Sequence, residues 1–276
     1  MQHNSGKVVL VTGASSGIGQ SIAESLMEKG FRVYGTSRKA ECEKIIKAEH
    51  GSGFLKMIPL DVCSEKSVQA AVSYILEREI TIDILINNAG FGIAGSVEDT
   101  SPEEALSQFD TNFFGVIRMC RAVLPKMREQ KDGLIINISS VAGLISVPYQ
   151  SMYSASKAAI ESMTEALRIE VKPFGVKVAM VEPGDTKTGF TAKRQYTAAS
   201  SSSAYSETFM RSISIMERDE QNGPPPNLIA AAVLRIINSK NPPIRIVAGL
   251  SYKTLVFLKR LLPSRFAEFV VSKIYS

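Results

Sequence analysis

The sequence has no tryptophan and only two histidines in 276 residues. A Ser/His/Asp hydrolase needs an imidazole beside its nucleophile. His3 lies near the N-terminus and His50 at the end of a charged segment, so that chemistry is unsupported. Cys42, Cys63 and Cys120 stand far apart, with no Cys/His cluster of the kind that holds zinc. An odd number of cysteines without CxxC spacing argues for reduced thiols and a cytoplasmic setting. No apolar run reaches the ~18 residues of a spanning helix. The opening MQHNSGKVVLVTG moves into a strand without a signal-peptide core. Charge is sparse too. The net value is +5, and the Lys and Arg residues are scattered. Nucleic-acid binding would want a denser basic face with interleaved aromatics, so no nucleic-acid partner is expected. Asn137-Ile138-Ser139 fits a glycosylation sequon, but its apolar strand context makes the match fortuitous.

What is present is an alternating rhythm. Short apolar runs at 7–12, 31–36, 54–60, 82–87, 134–139, 176–181 and 244–248 read as strands buried on both faces. Helical patterns lie between them, including a charged one at 39–50, two near 102–109 and 112–130, one at 152–172 and one at 227–238. The pattern predicts an α/β fold: a doubly wound, parallel, seven-stranded Rossmann-type sheet with helices on both faces. Residues 1–250 form a single domain. Within it 185–226, with its SSSS and PPP runs, is too long for a simple connection and reads as a substrate loop or lid. Residues 251–276 form a C-terminal amphipathic helical extension, divided at Pro263. Its apolar positions alternate with Lys253, Lys259, Arg260, Arg265 and Lys273. Three roles are open to it: a cover over the domain or the substrate mouth, a helix lying peripherally on a membrane, or a dimer contact.

Two patterns carry chemistry. TGASSGIG, Thr12–Gly19, follows the first strand and opens a helix. Gly13, Gly17 and Gly19 permit a tight turn and close approach, and the helix N-terminus offers free N–H groups to phosphate. Tyr153 and Lys157 are four apart on a helix and so share a face. An ammonium beside a phenol lowers its pKa and readies it for proton exchange near neutral pH. At the end of the second strand, VYGTSRK puts Ser37 where an NAD site would place a carboxylate. Arg38 follows and can clamp a 2′-phosphate. We therefore expect NADP(H) to be favoured over NAD(H).

With TGASSGIG, Asn87–Gly90 (NNAG) and YSASK, the chain resembles the short-chain dehydrogenase/reductase family over about residues 6–250. The resemblance implies a catalytic set of Asn112, Ser140, Tyr153 and Lys157. Ser140 would hold and polarise the substrate oxygen. Tyr153 would transfer the proton, and Lys157 would tune it and hold the nicotinamide ribose. Asn112 would position a relay water. Cofactor contacts are implied at Gly13, Ser15, Ser16, Gly17, Ile18 and Gly19, at Ser37 and Arg38, and at Asp61 and Val62 near the adenine. They are implied also at Asn88, Ala89 and Gly90, at Tyr153 and Lys157, and at Pro183, Gly184, Thr186 and Thr188. No metal is implied. FGIAG and VEPGDTKTGF look like the branch with 17β-hydroxysteroid and retinol dehydrogenases. The expected activity is oxidoreduction of a carbonyl or secondary alcohol on a hydrophobic steroid-, retinoid- or lipid-like substrate. A 3-oxoacyl thioester reductase and a non-catalytic NADP(H)-sensing module are the alternatives. The substrate walls are expected among apolar residues at 91–99, 141–149 and 185–226, with no clustered charge. The family's habit implies a homodimer or homotetramer.

Overall fold

The computed structural model describes residues 6–40, 45–201 and 203–275. One sheet organises them. In chain order its strands are β1 (Val8–Val11), β2 (Arg32–Ser37), β3 (Ile45–Lys47), β4 (Phe54–Pro59), β5 (Ile84–Asn87), β7 (Gly133–Ile138), β8 (Val176–Pro183) and β10 (Arg245–Ala248). The spatial order is β10-β8-β7-β5-β1-β2-β4-β3. Seven strands are parallel, as their continuous apolar runs require.

The eighth strand corrects the sequence reading. The helix expected over 39–50 is not what residues 45–47 form; residues 41–44 lie outside the described set, as do His3 and Cys42. Ile45–Lys47 instead pairs antiparallel with β4, Lys47 opposite Phe54. The reason is local. Two adjacent β-branched residues favour extended backbone, and Gly51, at φ +106°, lets the chain turn back so that Ala48 N–H donates to the Gly53 carbonyl at 3.0 Å. This edge strand is short and exposed, and His50 lies in its turn rather than at a helix end.

Helices cover both faces. On one side α1 (Gly17–Glu28) and α7 (Asn227–Ile237) pack over Val9, Val11, Ile84, Ile86 and Val181. On the other, α2 (Glu65–Glu79), α4 (Gly115–Gln130) and α5 (Ser151–Val171) cover Leu10, Leu85, Ile135 and Val178. Between α3 (Pro102–Phe109) and α4 a wide turn of π type at Asp110–Phe114 takes the first residues of the helix expected from 112. It turns Asn112 inward until none of it is exposed.

The chain leaves β1 in two directions: β2, β4 and β3 to one side, β5, β7, β8 and β10 to the other. This reversal opens a crevice at the carboxyl ends of the strands, where such sheets hold ligands. The segment 185–226 arches over it. It contributes a strand, β9 (Gln195–Tyr196), paired with β6 (Ile93–Ala94), and a helix, α6 (Ser206–Gln221). The chain ends in α8 (Leu250–Leu261) and α9 (Ser264–Tyr275), divided at Pro263. Val256 anchors α8, and Tyr275 packs on the Phe209, Ile213 and Met216 cluster of α6.

Candidate active site

The glycine-rich loop opens α1 as a cradle. Gly13 and Gly17 take φ of +66° and +58°, a region that favours glycine. A Cβ at Gly19 would collide with the Gly13 carbonyl oxygen and the Asn88 amide. Ser16 caps α1 without a side-chain bond to the first turn, so N–H groups there remain available to an anion. The Thr12 hydroxyl accepts from Asn88 N–H (2.9 Å) and Ala89 N–H (3.0 Å), tying the loop to the end of β5. Lys193, from the arching segment, donates to Ser16 Oγ at 2.8 Å. The shape and donors fit a dinucleotide pyrophosphate.

This cradle is one end of a cavity of 1490 Å³. All the expected cofactor residues, from Gly13 to Thr188, line it; Ser140, Tyr153 and Lys157 line it as well. Asn112 does not reach the cavity wall. It sits behind Gly90, accepting from Phe91 N–H (3.1 Å) and donating to the Phe91 carbonyl (3.0 Å) and Ser156 Oγ (3.2 Å). A Cβ built on Gly90 would stand 3.1 Å from Asn112 Oδ1 and 3.8 Å from Lys157 Nζ, so the two groups flank one small space. Lys157 is buried and donates to the Ile138 carbonyl at 2.9 Å. Ser140, at the end of β7, caps a short turn by accepting from Ala142 N–H at 3.1 Å, and Ser139 is buried on the sheet.

The electrostatics differ from the sequence expectation. Burial pushes the Tyr153 phenol up to about 12, and a hydrogen bond with Ser140 only partly offsets it. Burial also pushes Lys157 down to about 8, with nearby Glu161 acting against the fall. Lys157 Nζ stands 5.7 Å from the Tyr153 ring centroid. Desolvation therefore dominates at Tyr153, and the phenol keeps its proton at neutral pH. Phe190 contributes to that burial, its ring 5.8 Å from that of Tyr153.

The other end of the cavity holds features that the sequence hid. Phe91, Ile145, Val147, Pro148 and Phe190 line it as expected, but Tyr149, Tyr196 and Phe209 pack on one another beneath the arch. The tail supplies the missing apolar wall through Leu255, Leu258, Leu262, Phe266, Val270 and Ile274. Lys259 fixes α8 by donating to the Leu144 carbonyl. Charge is present after all. Asp185 and Glu220 both line the cavity, burial raises both carboxyls, and both act on Tyr153. Asp185 accepts from Tyr252 Oη at 2.5 Å, while Glu220 accepts from Thr191 Oγ1 at 2.5 Å and pairs with the buried Arg194. Aspartate at 185 and glutamate at 220 are far apart in sequence, and no local pattern announces that they meet. Among the described residues no group of His, Cys, Asp and Glu could hold a metal ion.

Comparison with known proteins agrees with this geometry. The short chain dehydrogenase family model matches residues 7–199. A 3-ketodihydrosphingosine reductase of Bacteroides thetaiotaomicron is 46% identical over 244 residues, 88% of this chain and 88% of that protein. Human retinol dehydrogenase 8 is 35% identical over 266 residues, 92% of this chain and 85% of that protein. The crystal structure of a short-chain dehydrogenase from Streptomyces avermitilis superposes with a TM-score of 0.80 at 34% identity, covering 96% of this chain and 95% of that one. Solved neighbours carry NAD or NADP. The chain belongs to the short-chain dehydrogenase/reductase family, oxidoreductases that use a nicotinamide dinucleotide on carbonyl and alcohol groups.

Proposed function

We propose that the protein is an NADP(H)-dependent reductase of a long-chain, lipid-like ketone that carries a basic amine near its carbonyl. The observation behind this reading is the composition of the cavity. It joins a dinucleotide cradle, the Ser140–Tyr153–Lys157 group, two carboxylates and a long apolar wall. The name of the 46%-identical relative denotes a ketone of that kind. A retinoid has no cation for the carboxylates, and an acyl thioester has no use for them.

Bound at the cradle, the nicotinamide supplies the hydride. The chain does the rest. Ser140 donates a hydrogen bond to the substrate oxygen and stabilises its developing charge. Tyr153 Oη delivers the proton to that oxygen, a task its protonated state at neutral pH suits. Lys157, charged below about 8, holds the ribose and returns a proton to the phenolate. Asn112 fixes Gly90–Phe91 and shares with Lys157 the space through which that proton is replenished. Asp185 and Glu220 receive the substrate's ammonium.

Arg38 and Ser37 line the cavity at the end of β2, where a 2′-phosphate would lie and no carboxylate repels it. A charged hydrogen bond is worth ~1.5–3 kcal/mol. Arg38→Asp should therefore weaken NADPH binding about 10- to 100-fold and leave NADH binding equal or better. Titration of nicotinamide fluorescence reads both; an unchanged NADPH/NADH ratio would remove Arg38 from the 2′-phosphate site.

Asp185→Asn tests the amine. Its KM for a long-chain 2-amino-3-ketone should rise about tenfold, while KM for the same ketone lacking nitrogen stays within about twofold. Equal change for both substrates would reduce Asp185 to a partner of Tyr252.

A further inference from the structure

The tail has two unlike faces. Val256 and Tyr275 turn inward, whereas Leu250, Phe257, Leu261 and Phe269 are 81%, 61%, 65% and 55% exposed. On α8 the exposed Leu250, Phe257 and Leu261 recur at helical spacing and form one stripe. Scattered exposed apolar residues are ordinary, but an exposed apolar stripe on α8, followed on α9 by a further exposed Phe, needs a partner. Residues 250–276 carry Lys253, Lys259, Arg260, Arg265 and Lys273 against a single acid, Glu268. Each tail helix spans 12 residues, too short to cross a bilayer. Leu258 and Phe266 are both exposed at the surface and part of the cavity wall, so the patch runs into the cavity mouth.

We propose that α8 and α9 lie in the surface of an anionic lipid bilayer and open the cavity toward it, so that substrate enters from the membrane. A cationic, apolar helical face matches an anionic interface in both respects. A second copy of this chain matches it less well, because a two-fold contact would bring like charges of the tail together, even with Lys259 engaged inward on the Leu144 carbonyl. The entry route rests on the lipid-like substrate proposed above; the seat on the bilayer does not.

The test is flotation of the full chain with phosphatidylcholine vesicles, with and without phosphatidylserine. A triple variant, Phe257→Asp, Leu261→Asp and Phe269→Asp, changes outward side chains that do not line the cavity. Wild type should float with the anionic vesicles at least about tenfold better than with phosphatidylcholine alone, and lose that advantage in high salt. The variant should stay behind while its NADPH affinity remains within about twofold, which shows that it is folded. With a ketone embedded in the vesicles, the variant's KM should rise about tenfold, and with the same ketone in detergent it should not change. Absence of flotation by wild type, or equal flotation by the variant, overturns the proposal. So does a wild-type dimer that the triple variant converts to monomer without any flotation, for then the patch is an interface between copies. Flotation without turnover of any ketone would keep the bilayer seat and remove the proposed substrate.

Discussion

Replacing Tyr153 by Phe should lower kcat for ketone reduction by about 10³-fold, within the range that a positioned general acid contributes. Affinity for NADPH should fall no more than about fivefold, the worth of one neutral hydrogen bond. The asymmetry follows from the geometry. The phenol oxygen is the group that Ser140 addresses inside the cavity, while the proposed dinucleotide contacts at Gly13–Gly19 and Arg38 lie elsewhere in its lining. Steady-state kinetics and a fluorescence titration on the same preparation measure the two quantities. Undiminished turnover would mean that the proton comes from elsewhere.

Lys157→Met should fail differently. Methionine fills much of the buried space of the lysine stem, so the fold should survive. NADPH affinity should drop about tenfold or more through loss of a charged hydrogen bond, and kcat should drop as well. The pH profile gives the more specific sign. Burial brings Lys157 down to about 8, and kcat/KM for NADPH reports the groups of the enzyme that NADPH meets. Reduction by wild type should therefore be flat near neutrality and fall as pH rises through about 8, where the ammonium is lost. Tyr153, near 12, stays protonated throughout that window. In the variant this limb should be absent. The same shift bears on stability. Between about 8 and the ordinary 10.5 the unfolded lysine holds its proton and the folded one does not. The Lys157 contribution to stability therefore becomes more favourable as pH rises through that interval. A wild-type profile that is level past that interval would mean that Lys157 does not need its charge.

The parts of this site that could be read from sequence are those encoded by local spacing. The loop Thr12–Gly19, the pair Tyr153–Lys157 and the strands that carry them repeat short patterns, and all reach the same cavity. What could not be read depends on meetings across the chain. Asp185 and Glu220 face each other's field because α6 folds back over the crevice. Tyr252 reaches Asp185 only once α8 has docked on β10. The raised pKa of Tyr153 is hidden from local spacing for the same reason. Spacing gives the distance to an ammonium, but burial under Phe190 and the arch comes from tertiary structure. The edge strand β3 had a local signal, Ile45-Ile46 before a glycine turn, which the neighbouring charges masked. Buried Asn137 belongs here too. Its amide bonds Asn87 (2.9 Å) and Thr164 (2.8 Å) within the core, a structural use of a residue that looks like a glycosylation acceptor.

The proposed hydride-transfer site has Tyr153 as its acid and an apolar ketone bearing an amine as its substrate. The most direct measurement follows the absorbance of NADPH with the wild-type protein and a long-chain 2-amino-3-ketone, and quantifies the carbinol formed. One carbinol should form for each NADPH consumed, with faster turnover than for retinal or a 3-oxoacyl thioester. Tight NADPH binding without consumption in the presence of any ketone would contradict it and leave a dinucleotide-sensing module in its place.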